Sequence, residues 1–155
     1  QRQYTLSIPA LNVRAPVYKP SGKYWHGQQW DLLEEQMQVG LNAGAVAYPH
    51  SVVAGEAGNL IIAGHSSPPS ETAEKSDFGH LFAAVPQLTA GDVIQVQRGS
   101  ATSAYTGRDT TIVSPAQTDI LAQQSDESVL KLITCYPVGT TENRFVVTAT
   151  LNTAG

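Results

Sequence analysis

The sequence predicts an all-β fold with minor short helices, closed into a barrel of about eight short strands. Three observations lead there. Short runs of β-branched and apolar residues recur from Tyr4 to Leu151, several in strict alternation. The 13 glycines and 9 prolines fall between these runs rather than inside a long helical pattern. Only one segment, around Asp31–Met37, carries a helical period.

Taken in order, Tyr4–Ile8 alternates and stops at Pro9, a first strand, and Leu11–Val17 reads as a second. Residues 18–27 are turn-rich and aromatic and read as a loop; core packing is expected for Trp25 and Trp30. Over 31–37, Leu33 and Met37 stand four apart on one face of a short helix. Residues 39–58 are small and Gly-rich, ending in a turn at Ala54–Gly58. A strand follows over 60–65, then a polar loop to Asp77 and a short apolar turn of helix at Phe78–Val85. Gly91-Asp92 introduces a half-buried strand at 93–97, in which Ile94 and Val96 alternate with glutamines. Residues 103–114 read as a strand pair, and 117–127 as a loop with one helical turn. Strands at 129–135 and 144–151 close the chain.

The chain has 155 residues, 41% hydrophobic and 14% charged, which fits a single domain (residues 1–155) with a core that needs neither disulfide nor metal. A net charge of −4, with nine Lys and Arg spread thinly, argues against nucleic acid as a partner and against a polybasic membrane patch. No run approaches the ~20 apolar residues of a membrane-spanning helix. The absence of an initiator Met before Gln1 reads as a processed or trimmed chain. The single cysteine leaves the redox compartment open.

That cysteine carries the chemistry. Cys135 ends the run Leu130–Cys135, and Arg144, nine residues on, opens the next strand. His65 ends the apolar run Leu60–Gly64. Side chains alternate along a strand, so Ala63 shares a face with His65 and Ile133 shares one with Cys135. If those strands are neighbours, thiol and imidazole meet at one rim, and an antiparallel return brings Arg144 to it. A free thiol with a pKa of ~8.5 is only a few per cent thiolate at neutral pH, and a nearby cation raises that fraction. A protonated His65 is expected to supply the cation and later hand its proton to a departing amine. Arg144 offers fixed donors to a developing oxyanion or to substrate carbonyls. Singly, each has an ordinary reading: a small buried hydrophobe, a structural histidine, a solvated strand-edge cation. The case rests on the three together. Metal chemistry finds no support, since His26, His50, His65 and His80 lack ligand spacing and no CxxC exists. Glu71, Glu74 and Asp77 read as solvated, and no G-x-S-x-G elbow surrounds any serine.

From Ile8–Val13 to about Leu151 the chain resembles the sortases, cysteine transpeptidases of Gram-positive-type cell surfaces. The resemblance lies in Gly55–His65, Phe78 with Leu81, Gly91-Asp92, Leu132–Pro137 and Arg144. It implies an eight-stranded sortase barrel and catalytic residues His65, Cys135 and Arg144, with no cofactor. Ala63, Ile133 and Thr134 become substrate-binding residues, and the Ala116–Gln124 loop a wall of the groove. The implied partners are an LPXTG-like sorting signal, cleaved between Thr and Gly, and an amine acceptor on a cell-wall precursor or a pilin lysine. The implied location is the extracellular face of the cell membrane, reached through an anchor ahead of Gln1. Two other readings use the same residues: a non-catalytic sortase-like binding or assembly module, and a thiol peptidase that mainly hydrolyses. The sequence departs from the pattern at Gly107, expected to break its strand, over residues 18–38, which match nothing in it, and in lacking an Asp-Pro-aromatic lid motif.

Overall fold

The computed structural model describes residues 2–68, 74, 77–123 and 126–152. Eight strands close into a barrel: β1 (Arg2–Ile8), β2 (Val13–Tyr18), β3 (Ala45–Ala47), β4 (Gly58–Ala63), β5 (Val93–Arg98), β6 (Ala101–Val113), β7 (Ser128–Tyr136) and β8 (Asn143–Leu151). Their order around the wall is β1-β2-β3-β4-β7-β8-β6-β5, and β5 pairs back onto β1. Most neighbours are antiparallel, but β2–β3 and β4–β7 are parallel. A closed wall leaves no strand edge open to another chain.

The alternation read from the sequence becomes an inside and an outside. Leu60, Ile62, Leu130, Leu132, Phe145 and Val147 fill the interior with Leu6, Ile8, Ile94 and Tyr105. The intervening residues of the same strands face outward into two further apolar clusters. One joins Leu33, Met37, Leu41 and Val46, with Ala63 against it. The other joins Ile61, Val113, Ile133 and Val146, with Ile120 and Leu121 against it. Tyr48 packs on both.

The helical content exceeds what the pattern announced. Residues 22–26, expected as loop, form a short helix α1 (Gly22–His26), capped by the Ser21 hydroxyl, which accepts from Lys23 N at 3.3 Å. The helix expected over 31–37 runs on as α2 (Trp30–Ala43), burying Leu33, Met37, Gly40 and Leu41 on one face. A side chain at Gly40 would place Cβ 2.6 Å from a Val46 methyl, so glycine is what lets α2 lie close on β3. Trp30 is 51% exposed rather than in the core, edge-on to the half-buried Trp25.

Other boundaries shift. Pro9–Leu11 forms a 3-10 turn ending at a left-handed Asn12, so the second strand starts at Val13. Phe78–Ala84 is a chain of i→i+3 turns leading to a 3-10 turn at Val85–Gln87. Instead of a strand pair, 101–113 is one long strand, and Gly107 does not break it. A register shift between Gly107 and Asp109 inserts one extra residue opposite β8. That bulge turns the strand over: Tyr105 points into the barrel, while Val113, eight residues on, joins an outer cluster.

Candidate active site

Strands β4 and β7 run parallel with Ala63 opposite Ile133, and the pairing continues one step as Gly64 N donates to Ile133 O at 3.2 Å. This carries His65 to the level of Cys135. Strand β8 returns antiparallel, and Arg144 stands directly opposite Cys135. The three residues sought at one rim therefore line one cavity of about 610 Å³, together with Ala63 and Ile133. The cavity lies on the outer face of the wall, between α2 and the loop over residues 139–141 that joins β7 to β8, and no described residue of the segment following β6 lines it.

Each side chain is held by its element. His65 is 7% exposed. Its carbonyl accepts from Phe82 N at 2.8 Å, and its Nε2 lies 3.3 Å from Asn42 Oδ1 near the end of α2. Burial pushes its pKa below the usual histidine range, which favours the neutral ring over the protonated one expected from the sequence. Cys135 is a half-buried free thiol. Arg144 donates through Nη1 to the carbonyls of Thr141 at 3.2 Å and Asn143 at 3.1 Å, which braces the guanidinium against its own hairpin. A neutral ring, a thiol and a braced guanidinium in one cavity can pass a proton from sulfur to a leaving amine and offer donors to an oxyanion.

Thr134 lies between the outward-facing Ile133 and Cys135, but it is 3% exposed and donates from Oγ1 to Gly64 O at 2.8 Å. It borders the cavity, yet its hydroxyl is spent on tying β7 to the residue before His65. Of the Ala116–Gln124 loop, Gln124 lies outside the described residues. Its central part, the 3-10 turn Thr118–Leu121, is anchored to the wall. Lys131 Nζ donates to Ile120 O at 2.9 Å, and His50 Nε2 donates to Leu121 O at 2.6 Å. Gln123 exchanges hydrogen bonds with the Asn59 backbone at 2.7 Å each way. His50 is itself stacked on Trp25 with ring centroids 3.9 Å apart, so α1 backs the same wall.

Sequence reading missed the opposite wall. Glu34, Met37, Gln38 and Leu41 of α2 line the cavity, as does Tyr48. Burial raises the Tyr48 pKa, with the Glu34 charge adding to it and Arg144 opposing, so the phenol stays protonated. The apolar period of Leu33 and Met37 was the signal for this helix; nothing in the sequence singles out Asn42 or Tyr48. Among the described residues no group of three or more His, Cys, Asp or Glu could hold a metal ion, and Glu71 lies outside them.

The closed eight-stranded barrel that carries thiol, imidazole and guanidinium at one outer rim is a fold shared with known proteins. The family model for the Sortase domain matches residues 6–152. The chain belongs to the sortase family, a family of cysteine transpeptidases. Among solved structures it is similar to a sortase D5 transpeptidase from Clostridium perfringens, with a TM-score of 0.73 at 23% identity, over 99% of this chain and 80% of that one. It is similar to sortase C-1 from Actinomyces oris, with a TM-score of 0.76 at 24% identity, over 97% and 73% of the two chains. It is similar too to a lid mutant of sortase A from Corynebacterium diphtheriae, with a TM-score of 0.77 at 20% identity, over 100% and 72%. Its neighbours thus span several sortase classes. No curated protein sequence matches the chain.

Proposed function

We propose that the protein is a sortase-type transpeptidase that cleaves an LPXTG-like sorting signal between Thr and Gly and transfers the acyl group to an amine. The observation that carries this is the pairing of Cys135 with Arg144 across β7 and β8, with His65 lining the same cavity. The neutral His65 takes the thiol proton as the Cys135 sulfur bonds to the threonine carbonyl carbon. Arg144 donates to the oxygen that gains charge. When the C–N bond breaks, His65 passes that proton to the glycine amine, leaving a thioester on Cys135. An acceptor amine then attacks the thioester and loses a proton through His65, and the thiol is restored.

The sorting signal would lie between α2 and the Thr118–Leu121 turn, over Tyr48, Ala63 and Ile133. The acceptor is an amine of a cell-wall precursor or a pilin lysine, and the place of action is the outer face of a Gram-positive-type cell. No helix among the described residues is long and apolar enough to cross a membrane.

The test is mass spectrometry of the protein mixed with an LPXTG peptide, with and without an added amine. The expected result is an acyl adduct on Cys135, absent in Cys135→Ala, and a ligated product when the amine is present. An adduct that only hydrolyses would identify a thiol peptidase. A Cys135 inert both to sorting-signal peptides and to thiolate-selective alkylation would identify a binding module.

A further inference from the structure

We propose that Asn42 is a positioning residue that fixes the tautomer and orientation of His65. This deepens the transpeptidase reading above and rests on it for its kinetic consequence. Asn42 sits in the last turn of α2, a helix fastened to the barrel wall through Leu33, Met37 and Leu41. Its Oδ1 lies 3.3 Å from His65 Nε2, between two elements 23 residues apart in the chain. A carboxamide oxygen can only accept, so Nε2 carries the ring proton and Nδ1 keeps the lone pair. Nδ1 is then the atom that can receive a proton from a thiol.

His65 as a residue is 7% exposed, so water competes weakly for this contact, and its backbone is separately fixed through Phe82 N. Asn42 is thus a partner aimed at the ring rather than at its backbone. Being neutral, it orients the imidazole without holding it in the charged form, as a carboxylate would. The ring then remains a base until sulfur surrenders its proton, in keeping with the burial that already disfavours the imidazolium. The other charged or titratable groups lining this cavity are Cys135 on β7, Arg144 on β8, Glu34 on α2 and Tyr48 after β3. Among the described residues none of these groups hydrogen-bonds the His65 ring. The arrangement makes α2, silent in the sequence-level case for catalysis, part of the proton-transfer apparatus.

The experiment compares the wild-type protein with Asn42→Ala and Asn42→Asp. Imidazole 15N chemical shifts report the tautomer directly and need no substrate. Wild type is expected to show the Nε2–H form, Asn42→Ala a mixture, and Asn42→Asp the Nε2–H form again. With a sorting-signal peptide, Asn42→Ala should lower kcat roughly tenfold or more at little change in KM, the loss expected when a general acid–base is misaimed. Asn42→Asp should recover part of that rate, with the acid limb of its pH profile moved upward. Unchanged tautomers in Asn42→Ala would overturn the proposal, as would an activity loss that tracks a fall in melting temperature with the tautomer intact. If wild type turns over no peptide, the transpeptidase reading fails, while the 15N shifts still decide whether Asn42 sets the ring.

Discussion

Cys135 and Arg144 face each other directly across two antiparallel strands, so both side chains leave the sheet on the same side. Residues opposed in this way have Cβ atoms about 4.5–5.5 Å apart. The relationship is a matter of register, since a slip of one residue would send one of the pair to the other face of the wall. Eight consecutive pairs, from Val129↔Thr150 to Tyr136↔Asn143, hold that register. The closeness of thiol and guanidinium is thus built into the backbone ladder.

Arg144→Lys keeps the charge but loses the planar guanidinium. The Nη1 of that group is braced on the Thr141 and Asn143 carbonyls, while its other donors stay available to a substrate oxygen under the proposed reaction. Peptide cleavage should fall about a hundredfold or more, the scale of a lost oxyanion donor. Binding of an uncleavable peptide to the Cys135→Ala protein should change less. Equal losses in affinity and in kcat/KM would assign Arg144 to ground-state binding.

Thr134→Val should weaken the fold and the site together. The substitution keeps the shape but strips the buried Gly64 carbonyl of its 2.8 Å donor, a loss worth about 1–3 kcal/mol. A urea melt should show the lower midpoint, and kcat/KM should drop because Gly64 precedes His65. An unchanged midpoint would mean that Gly64 O finds another donor.

Gly64→Ala tests how tightly the end of β4 is packed. A Cβ there would meet the buried Phe82 ring at 2.6–2.9 Å, so the ring or the strand end must move. Overpacking of this kind costs about 1–3 kcal/mol. Thermal melts and peptide turnover should both fall; a fully active, equally stable variant would show that Phe82 can give way.

Acidification should destabilise the protein through the buried His65 and the half-buried His50. Burial lowers the folded-state pKa of both His50 and His65, whereas unfolded histidines titrate near ~6.5. Below ~6.5 the unfolded chain therefore binds more protons than the folded one, and stability falls as pH drops toward the lowered folded values. Denaturant midpoints should be level above about pH 7.5 and decline below about 6.5, less steeply in His50→Gln. An equal slope in that variant would remove His50 from the account.

The sequence disclosed those parts whose signal is local. Alternation marked β1, β5, β7 and β8 nearly to their ends, and chemistry marked Cys135, His65 and Arg144. What stayed hidden depends on packing. Strand β3 is three small residues whose identity as strand comes only from its neighbours β2 and β4. Helix α1 is five residues with a glycine and two aromatics, poor formers that Trp25 compensates by stacking on His50. The last turn of α2 runs through Gly40 and Asn42, which propensity alone would leave in a loop. Strand β6 read as two because a bulge breaks its periodicity without breaking its hydrogen-bonded pairing. Asn42 and Tyr48 became visible only once α2 and the end of β3 were laid against β4.

The groove walls rest on the outside of the barrel, in clusters that share no buried residue with its interior. Glu34 and Gln38 on one bank, and Thr141 on the other, line the cavity but belong to none of these clusters, so they can be exchanged without disturbing the packing of Leu130, Leu132 and Phe145 beneath the thiol. The lining of the cavity and the foldedness of the barrel are separately mutable in such a molecule. New recognition can be explored by redrawing the banks while the thiol, the imidazole and the guanidinium stay where the strands have put them.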